Sequence, residues 1–447
     1  MTDQHADDPA QDREPGSAAE LTEPPEQRRI LRTLVLAQVL SGAGLAAGIT
    51  VGALLAQDML DTTSLAGVPI ALFTVGSAAA AAGVGRLSQR FGRRPGLTTG
   101  YAAGAAGSAG VVLAAVTDSV PLLFAAMVVY GSGTATNLQA RYTGADLAAP
   151  ARRGRAVSTV LVATTLGGVL GPNLVSPMGR LAAAWGIPPL AGPFLLSGAA
   201  YLLAALVLGL LLRPDPLRLA RERAAVVTIG DTLGQGAGST TTAPTGERAA
   251  GGSGGVALGA SIMVLTQLVM VAIMTMTPVH MAAHGHGVGA AGAVIAVHVA
   301  AMYLPSPLSG WLVDRYGRIV VAALSGVTLL AAGVLAATAP TDSVVLLTVA
   351  LALLGLGWNV GLLSGTAIIT DSVPLERRAT TQGSVDVGVA LAGAGGGLAS
   401  GVVVAVAGFP ALAVAGGVVA LAIIPIIAAT ARPTRRSIAD PAAEPTP

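Results

Sequence analysis

Long apolar runs recur along the chain, each close to the ~20 residues a helix needs to cross a ~30 Å hydrocarbon core, and short polar stretches separate them. The pattern predicts twelve transmembrane helices in two sets of six. The first set covers approximately residues 30–56, 65–87, 97–116, 121–142, 156–178 and 190–212. The second covers approximately 256–281, 288–313, 319–337, 344–369, 383–407 and 411–429. Two membrane halves follow, 30–212 and 256–430. Residues 213–255, rich in Gly, Ser, Thr and Arg, are expected to form a flexible cytoplasmic linker. Residues 1–29 and 431–447 are expected to be disordered cytoplasmic tails. The first of them has no basic region ahead of an apolar one, so no cleavable signal is predicted.

Arginine placement predicts orientation, because positive residues are retained in short cytoplasmic loops. Arg28, Arg29 and Arg32 flank the start of the first run, Arg90, Arg93 and Arg94 follow the second, and Arg152, Arg153 and Arg155 follow the fourth. Arg315 and Arg318, then Arg377 and Arg378, repeat the pattern in the second half. On the other side only the loop holding Arg180 is positively charged. Both termini are therefore expected in the cytoplasm of a bacterial cell, with the chain passing many times through its inner membrane.

The halves share an internal repeat. Gly85-Arg-Leu-Ser-Gln-Arg-Phe-Gly-Arg-Arg94 returns as Gly310-Trp-Leu-Val-Asp-Arg-Tyr-Gly-Arg318, and Asp146 with Arg152 and Arg153 returns as Asp371 with Arg377 and Arg378. Both pairs stand 225 residues apart (310 less 85, 371 less 146), and two motifs at one offset imply duplication. These loops resemble the signature of the major facilitator superfamily, Gly-x-Leu-x-Asp-Arg-x-Gly-Arg-Arg, and its echo in the second half. The resemblance covers the whole membrane portion. It implies an all-α membrane protein, with twelve transmembrane helices in two pseudo-symmetric six-helix halves, that works as a secondary transporter. It also implies a gating charge network at the cytoplasmic end, which Arg90, Arg93, Arg94, Asp314, Arg315 and Arg318 match. Gln89 departs from the pattern by standing where the first-half acid belongs. Gly167, Gly168, Gly171 and Pro172 partly resemble the antiporter signature of drug exporters, though glycines at such spacing also serve close helix packing.

Composition narrows the functional classes. Hydrophobic residues make up 53% and charged residues 11% of 447, and the mean hydropathy is +0.71, which places the chain in lipid. All 25 basic residues are Arg, so the glycine-rich stretch 234–242 lacks the lysine of a nucleotide-binding loop, and Schiff-base chemistry is excluded. The absence of Cys removes disulfides, thiolate metal sites and cysteine nucleophiles. A formal charge of +2 implies no nucleic-acid partner. No nucleophile, acid pair or cofactor fingerprint points to an enzyme, and neither a resident cofactor nor a partner protein is implied; the partners expected are the bilayer and a small-molecule or metal-ion cargo.

Candidate chemistry concentrates in one window. Residues 263–302 hold six of the ten Met and four of the five His. At ~100° per residue, Met263, Met270, Met274 and Met281 fall within about 20° of one line on the seventh span. His298 and Met302 form an i, i+4 pair near the middle of the eighth, where ionisable groups are functional candidates. Thioether sulfur and imidazole suit Cu(I) and suit Mg²⁺ or Ca²⁺ badly. Met270-x-x-x-Met274 and His298-x-x-x-Met302 also resemble the motifs of the CcoA-like branch of the family, whose members import copper and whose relatives carry riboflavin. That resemblance implies Met270, Met274, His298 and Met302 as copper ligands. The competing reading is apolar packing, since Met fills gaps in helix cores. His280, Met281, His284 and His286, at the outer mouth, are a weaker candidate for collecting metal ions and read equally well as a polar loop beside Gly285 and Gly287. Gln38, Asn173, Gln267 and Asn359 are secondary candidates for lining the substrate path.

Two further readings stand beside a copper carrier. A proton-coupled exporter of drugs or other small organic molecules normally uses a carboxylate inside the first half, whereas Asp386, in the eleventh run, is the only acid clearly inside a span. A membrane sensor that binds without transporting has no need of two gated halves, so the repeated motif favours transport.

Overall fold

The computed structural model describes residues 24–60, 68–234 and 253–431. Both expected tails, apart from their inner ends, and residues 235–252 of the linker lie outside that set. Among the described residues the chain is helical, without strands. The first half contains α1 (Pro25–Thr50), α2 (Gly52–Leu60), α3 (Val68–Phe91), α4 (Arg93–Val116), α5 (Val120–Ala145), α6 (Arg153–Ala184) and α7 (Gly192–Leu211). A helix between the halves, α8, spans Pro216–Gly234. The second half contains α9 (Ser253–Ala283), α10 (Val288–Tyr303), α11 (Ser306–Tyr316), α12 (Arg318–Thr338), α13 (Val344–Ser372), α14 (Arg378–Leu421) and α15 (Ile423–Ala431).

Helix breaks map these elements onto the expected spans. The eighth is two helices, α10 and α11, because Pro305 and Pro307 remove backbone donors at their junction. Within α14, Gly408 adopts φ 82°, a left-handed conformation a side chain disfavours, just ahead of Pro410; the eleventh and twelfth spans meet there. Among the described residues, eight stretches are long and apolar enough to cross a membrane, the last of them (Arg378–Thr430) containing both of these runs.

Two main apolar clusters form the core, one within the first half and a second that fills the second half and extends to Ala145, Val157 and Leu161 of the first. The first is built around Tyr101, Tyr130, Phe194 and Tyr201, all fully buried and in ring contact. The second is filled mainly by Leu, Val, Ala and Met, among them Met263, Met270, Met281 and Met302, with Trp358 and Phe409 as its buried aromatics among the described residues. Small residues let backbones approach, as lipid-embedded helices require. A Cβ on Gly167 would fall 2.3 Å from the Val39 carbonyl of α1, so that glycine serves packing; the side chains at 168–170 and 172 lie outside the described set.

The first part of the linker, residues 216–234, departs from the expectation of a flexible segment. Residues 216–234 form a helix because Asp215 caps it, accepting from the Leu217 and Arg218 amides at 3.1 and 3.2 Å. Leu217 is fully buried, and Arg221 donates to the Gln89 and Leu375 carbonyls, one from each half. The linker helix is therefore docked across the arginine-rich end.

Candidate functional site

The repeated motif builds a two-part latch at the arginine-rich end. In each copy a glycine at positive φ, Gly92 at 96° and Gly317 at 88°, turns the chain so that an arginine begins the next helix. Arg93 starts α4, and its Nε donates to Asp146 Oδ2 at 2.7 Å, with neither side chain exposed. Its Nη2 also reaches Asp146 Oδ1 at 3.3 Å and Gln382 Oε1 of the other half at 2.5 Å. In the second copy Arg318 starts α12 and pairs with Asp371, which pairs as well with Arg153 of the first half. These side chains are between 16% and 30% exposed, so the second cluster is wetter than the first.

The motif's fifth position clamps the halves together. Asp314 accepts from the backbone amides of Gly154 at 2.8 Å and Arg155 at 2.9 Å, at the start of α6 in the opposite half. Those amides have no partner within their own helix, and the helix dipole favours an anion there. Gln89 does the same work in reverse: its Oε1 accepts from Ala379 at 2.8 Å and Thr380 at 3.4 Å, at the start of α14, while its Nε2 donates to the Leu375 carbonyl at 3.1 Å. The departure from the motif has removed a charge and kept the clamp. Beside each clamp a motif glycine allows the helices to touch. A Cβ on Gly85 would lie 3.0 Å from Gly383 Cα, and one on Gly310 would lie 2.6 Å from the Gly154 carbonyl oxygen.

A further inter-half contact is fully buried. Arg141 of α5 donates to Asp386 of α14 at 2.7 Å and to Thr366 at 3.1 Å, and the Tyr142 hydroxyl reaches the same Asp386 oxygen at 3.2 Å. The other Asp386 oxygen is buried without a partner. Among the described residues, every side-chain hydrogen bond and ion pair joining the halves lies at the arginine-rich end of the helices. Arg90, Arg94 and Arg315 take no part through their side chains: Arg90 lies over the Phe91 ring, Arg94 offers its backbone amide to Asp215, and Arg315 is exposed. Asp146, Asp371, Arg141, Asp386 and Gln382 escaped the sequence-based set of gating residues. Arg141 carried the clearest signal, being an arginine inside an apolar run.

The methionine and histidine window is internal to the second half. His298 is fully buried, with Nδ1 2.8 Å from the Leu351 carbonyl of α13 and Nε2 without a partner. Met270 and Met302 are buried in the surrounding apolar cluster, and Met274 packs against it half-exposed. Asn359 donates to the Met302 carbonyl and to Ser306, both at 2.7 Å, which ties α10, α11 and α13 together. Gln38 is likewise internal to its half, bonded to Tyr101, Asn137 and Thr164. Asn173 is exposed on α6, and Gln267 is half-buried and accepts from Trp358 Nε1 at 2.7 Å. Tyr303 meets the Trp358 ring edge-on at 5.7 Å. At the outer mouth the ring of His280 stacks on Phe409 and approaches that of His284, while His286 bonds the Thr341 carbonyl at 2.7 Å and Met281 is buried. Among the described residues, no three His, Asp or Glu converge as a metal cluster, and these histidines have packing and loop partners instead.

Known proteins extend this picture. The family model described as the Major Facilitator Superfamily matches residues 34–235 and 257–446. The chain is 53% identical over 400 residues to the uncharacterized MFS-type transporter YdeG of Bacillus subtilis, covering 90% of this chain and 91% of that one. It is 30% identical over 373 residues to the riboflavin transporter RfnT of Brucella anthropi, covering 82% and 86%. Among solved structures, the human organic anion transporter MFSD10 superposes with a TM-score of 0.71 at 17% identity, over 91% of this chain and all of that one.

Proposed function

Because the chain belongs to the major facilitator superfamily, and so is a multi-pass membrane transporter and not an enzyme, we propose that it moves a small solute by alternating access with the arginine-rich end as its inner gate. The observation that carries this reading is the one-sided distribution of inter-half bonds. Arginine bias assigns that end to the cytoplasm. The conformation is then outward-facing, with the inner gate shut by the two clamps, the two ion-pair clusters and the Arg141–Asp386 pair. Inward opening requires all of them to part together. The chain has no native Cys, so spin or fluorescent labels placed on either side of the gate report the motion directly. The proposal fails if the gate distance stays fixed through a full transport cycle.

For the cargo, the reading with most support is a small organic molecule. A riboflavin transporter shares 30% identity over 82% of the chain, and Tyr303 and Gln267, both partly exposed and backed by the buried Trp358, put an aromatic ring and an amide on neighbouring helices of the second half. Copper stands second, through Met270, Met274, His298 and Met302. It is favoured by one observation, the unpaired Nε2 of a fully buried imidazole, which a soft metal ion would satisfy. Uptake of labelled riboflavin and of copper by cells with and without the protein separates the two readings. Loss of copper uptake in Met274→Ala, with protein still in the membrane, would promote the second reading over the first.

A further inference from the structure

On the outer surface of the first half, at the arginine-rich end, lies a groove of about 330 Å³ between α1 and α6. Leu31, Val35, Leu36 and Val39 of α1 form its wall, Thr159 closes it from α6, and Arg32 is the charged residue of its lining. The wall residues recur at helical spacing along one face of α1, so from Arg32 to Val39 the groove descends roughly 10 Å at 1.5 Å per residue. Its lining is apolar apart from that arginine and the threonine.

Charge collects at one end only. Arg28 lies one turn before Arg32 on the same face, Arg29 lies beside it, and Arg155 lies one turn before Thr159 on α6. Arg28, Arg29, Arg32 and Arg155 are exposed, and none forms an ion pair among the described residues. The neighbouring acids are engaged: Glu26 pairs with Arg223 at 2.8 Å, and Asp314 is held by the amides of Gly154 and Arg155. The face therefore offers the Arg28, Arg29 and Arg32 guanidinium groups, outside any ion pair among the described residues, above an apolar channel, with Arg155, whose charge also attracts Asp314, beside them. That is the complement of an anionic headgroup with an acyl chain below it, and it sits where basic sites between transmembrane helices take up anionic lipid.

We propose that this groove is a specific site for one anionic phospholipid, its phosphate held by Arg32 and Arg155 and the upper part of one acyl chain laid along Leu31, Val35 and Val39. The site does not depend on the identity of the cargo. It does touch the gate, since Thr159 follows Ser158, whose side chain packs beside Gly310 of the other half.

The test is native mass spectrometry of the purified full-length protein in detergent with phosphatidylglycerol or phosphatidylcholine. About tenfold preferential retention of phosphatidylglycerol is expected, falling to less than about twofold in the double variant Arg32→Gln, Arg155→Gln, given roughly a fivefold contribution from each basic residue near a headgroup. Leu36→Trp, which fills the groove without changing charge, is expected to lower retention of both lipids. Arg180→Gln, at the opposite end, is expected to leave the preference intact. The assignment is overturned if the double arginine variant keeps the preference, if Leu36→Trp retains lipid unchanged, or if millimolar inorganic phosphate displaces the lipid and so reveals a plain phosphate site.

Discussion

The two copies of the repeated motif hold the halves together with the same backbone geometry and different electrostatics. Each sets a side chain against two free amides at the start of a helix in the opposite half: Asp314 accepts from Gly154 with Oδ1 and from Arg155 with Oδ2, and Gln89 accepts from Ala379 and Thr380 with Oε1 alone. Each places an arginine at the start of its own following helix against an aspartate of the same half. The first copy, however, has a neutral clamp beside a fully buried ion pair, and the second has a charged clamp beside a half-exposed one. Charge has moved from the clamp into the interior on one side only. A gate built this way need not open symmetrically: the second cluster is the one that water can reach and compete for first.

Removing each aspartate should expose this difference most strongly. Asp146→Asn leaves the Arg93 guanidinium buried without its counter-ion, and stranding a buried charge costs roughly 3–5 kcal/mol. We expect little folded protein in the membrane and a transport loss of more than about tenfold in what remains. Asp371→Asn unpairs two arginines that are partly exposed, where solvent can take over part of the lost interaction and the cost falls below that of the fully buried pair. Normal expression and a reduction of less than about fivefold are expected. Equal damage in the two variants, measured by thermal unfolding in detergent and by uptake, would erase the asymmetry between the clusters.

Exchanging the clamps should give a smaller effect of opposite sign on the two sides. Asp314→Asn leaves one acceptor oxygen where Asp314 uses two, Oδ1 for the Gly154 amide and Oδ2 for the Arg155 amide, and it removes the anion, so one bond, the charge-assisted part of the other and the interaction with the helix dipole are lost. A gain of about 1 kcal/mol in the tendency of the gate to open is expected from the size of such dipole interactions. Gln89→Glu adds a carboxylate facing the start of α14 but loses the Nε2 donor to Leu375, so the gain in closure should be smaller than the loss in the other variant. Label-to-label distances across each clamp measure both shifts; if Gln89→Glu opened the gate more than Asp314→Asn, the helix-terminus account would fail.

How much of this was legible in the sequence depends on range. Twelve spans, the duplication and the arginine-rich end where the halves meet follow from patterns that lipid enforces locally: run length, charge bias and repeated loops. The breaks at Pro305 and Gly408 follow from backbone chemistry. What the sequence concealed were pairings between residues hundreds of positions apart. Arg141 and Asp386 are separated by 245 residues, and no local spacing announces that they meet. The clamp role of Gln89 was hidden for another reason. The motif describes a charge, whereas the function of that position is an acceptor aimed at a helix terminus, which an amide also supplies. The Met and His window was conspicuous as a pattern, yet the His298 ring and the Met302 backbone carbonyl bond to α13 within their own half, so pattern alone did not separate cargo site from core.

The smallest effect belongs to the arginines of the motif that the network leaves out. Arg90 rests on the Phe91 ring and Arg315 is exposed, and among the described residues neither bonds to the opposite half through its side chain. If they served the gate as the motif suggests, removing them would resemble the loss of Asp314. If they only anchor topology, Arg90→Gln and Arg315→Gln each remove one of many positive charges on that side and should change uptake by less than about twofold, within the ±0.5 kcal/mol typical of surface substitutions. The double variant sharpens the choice, because topology responds to the sum of the charges whereas a gate responds to particular contacts. Additive, small losses of correctly inserted protein with an unchanged rate per inserted molecule would mark both as anchors. A drop in that rate, with insertion unaffected, would return them to the latch.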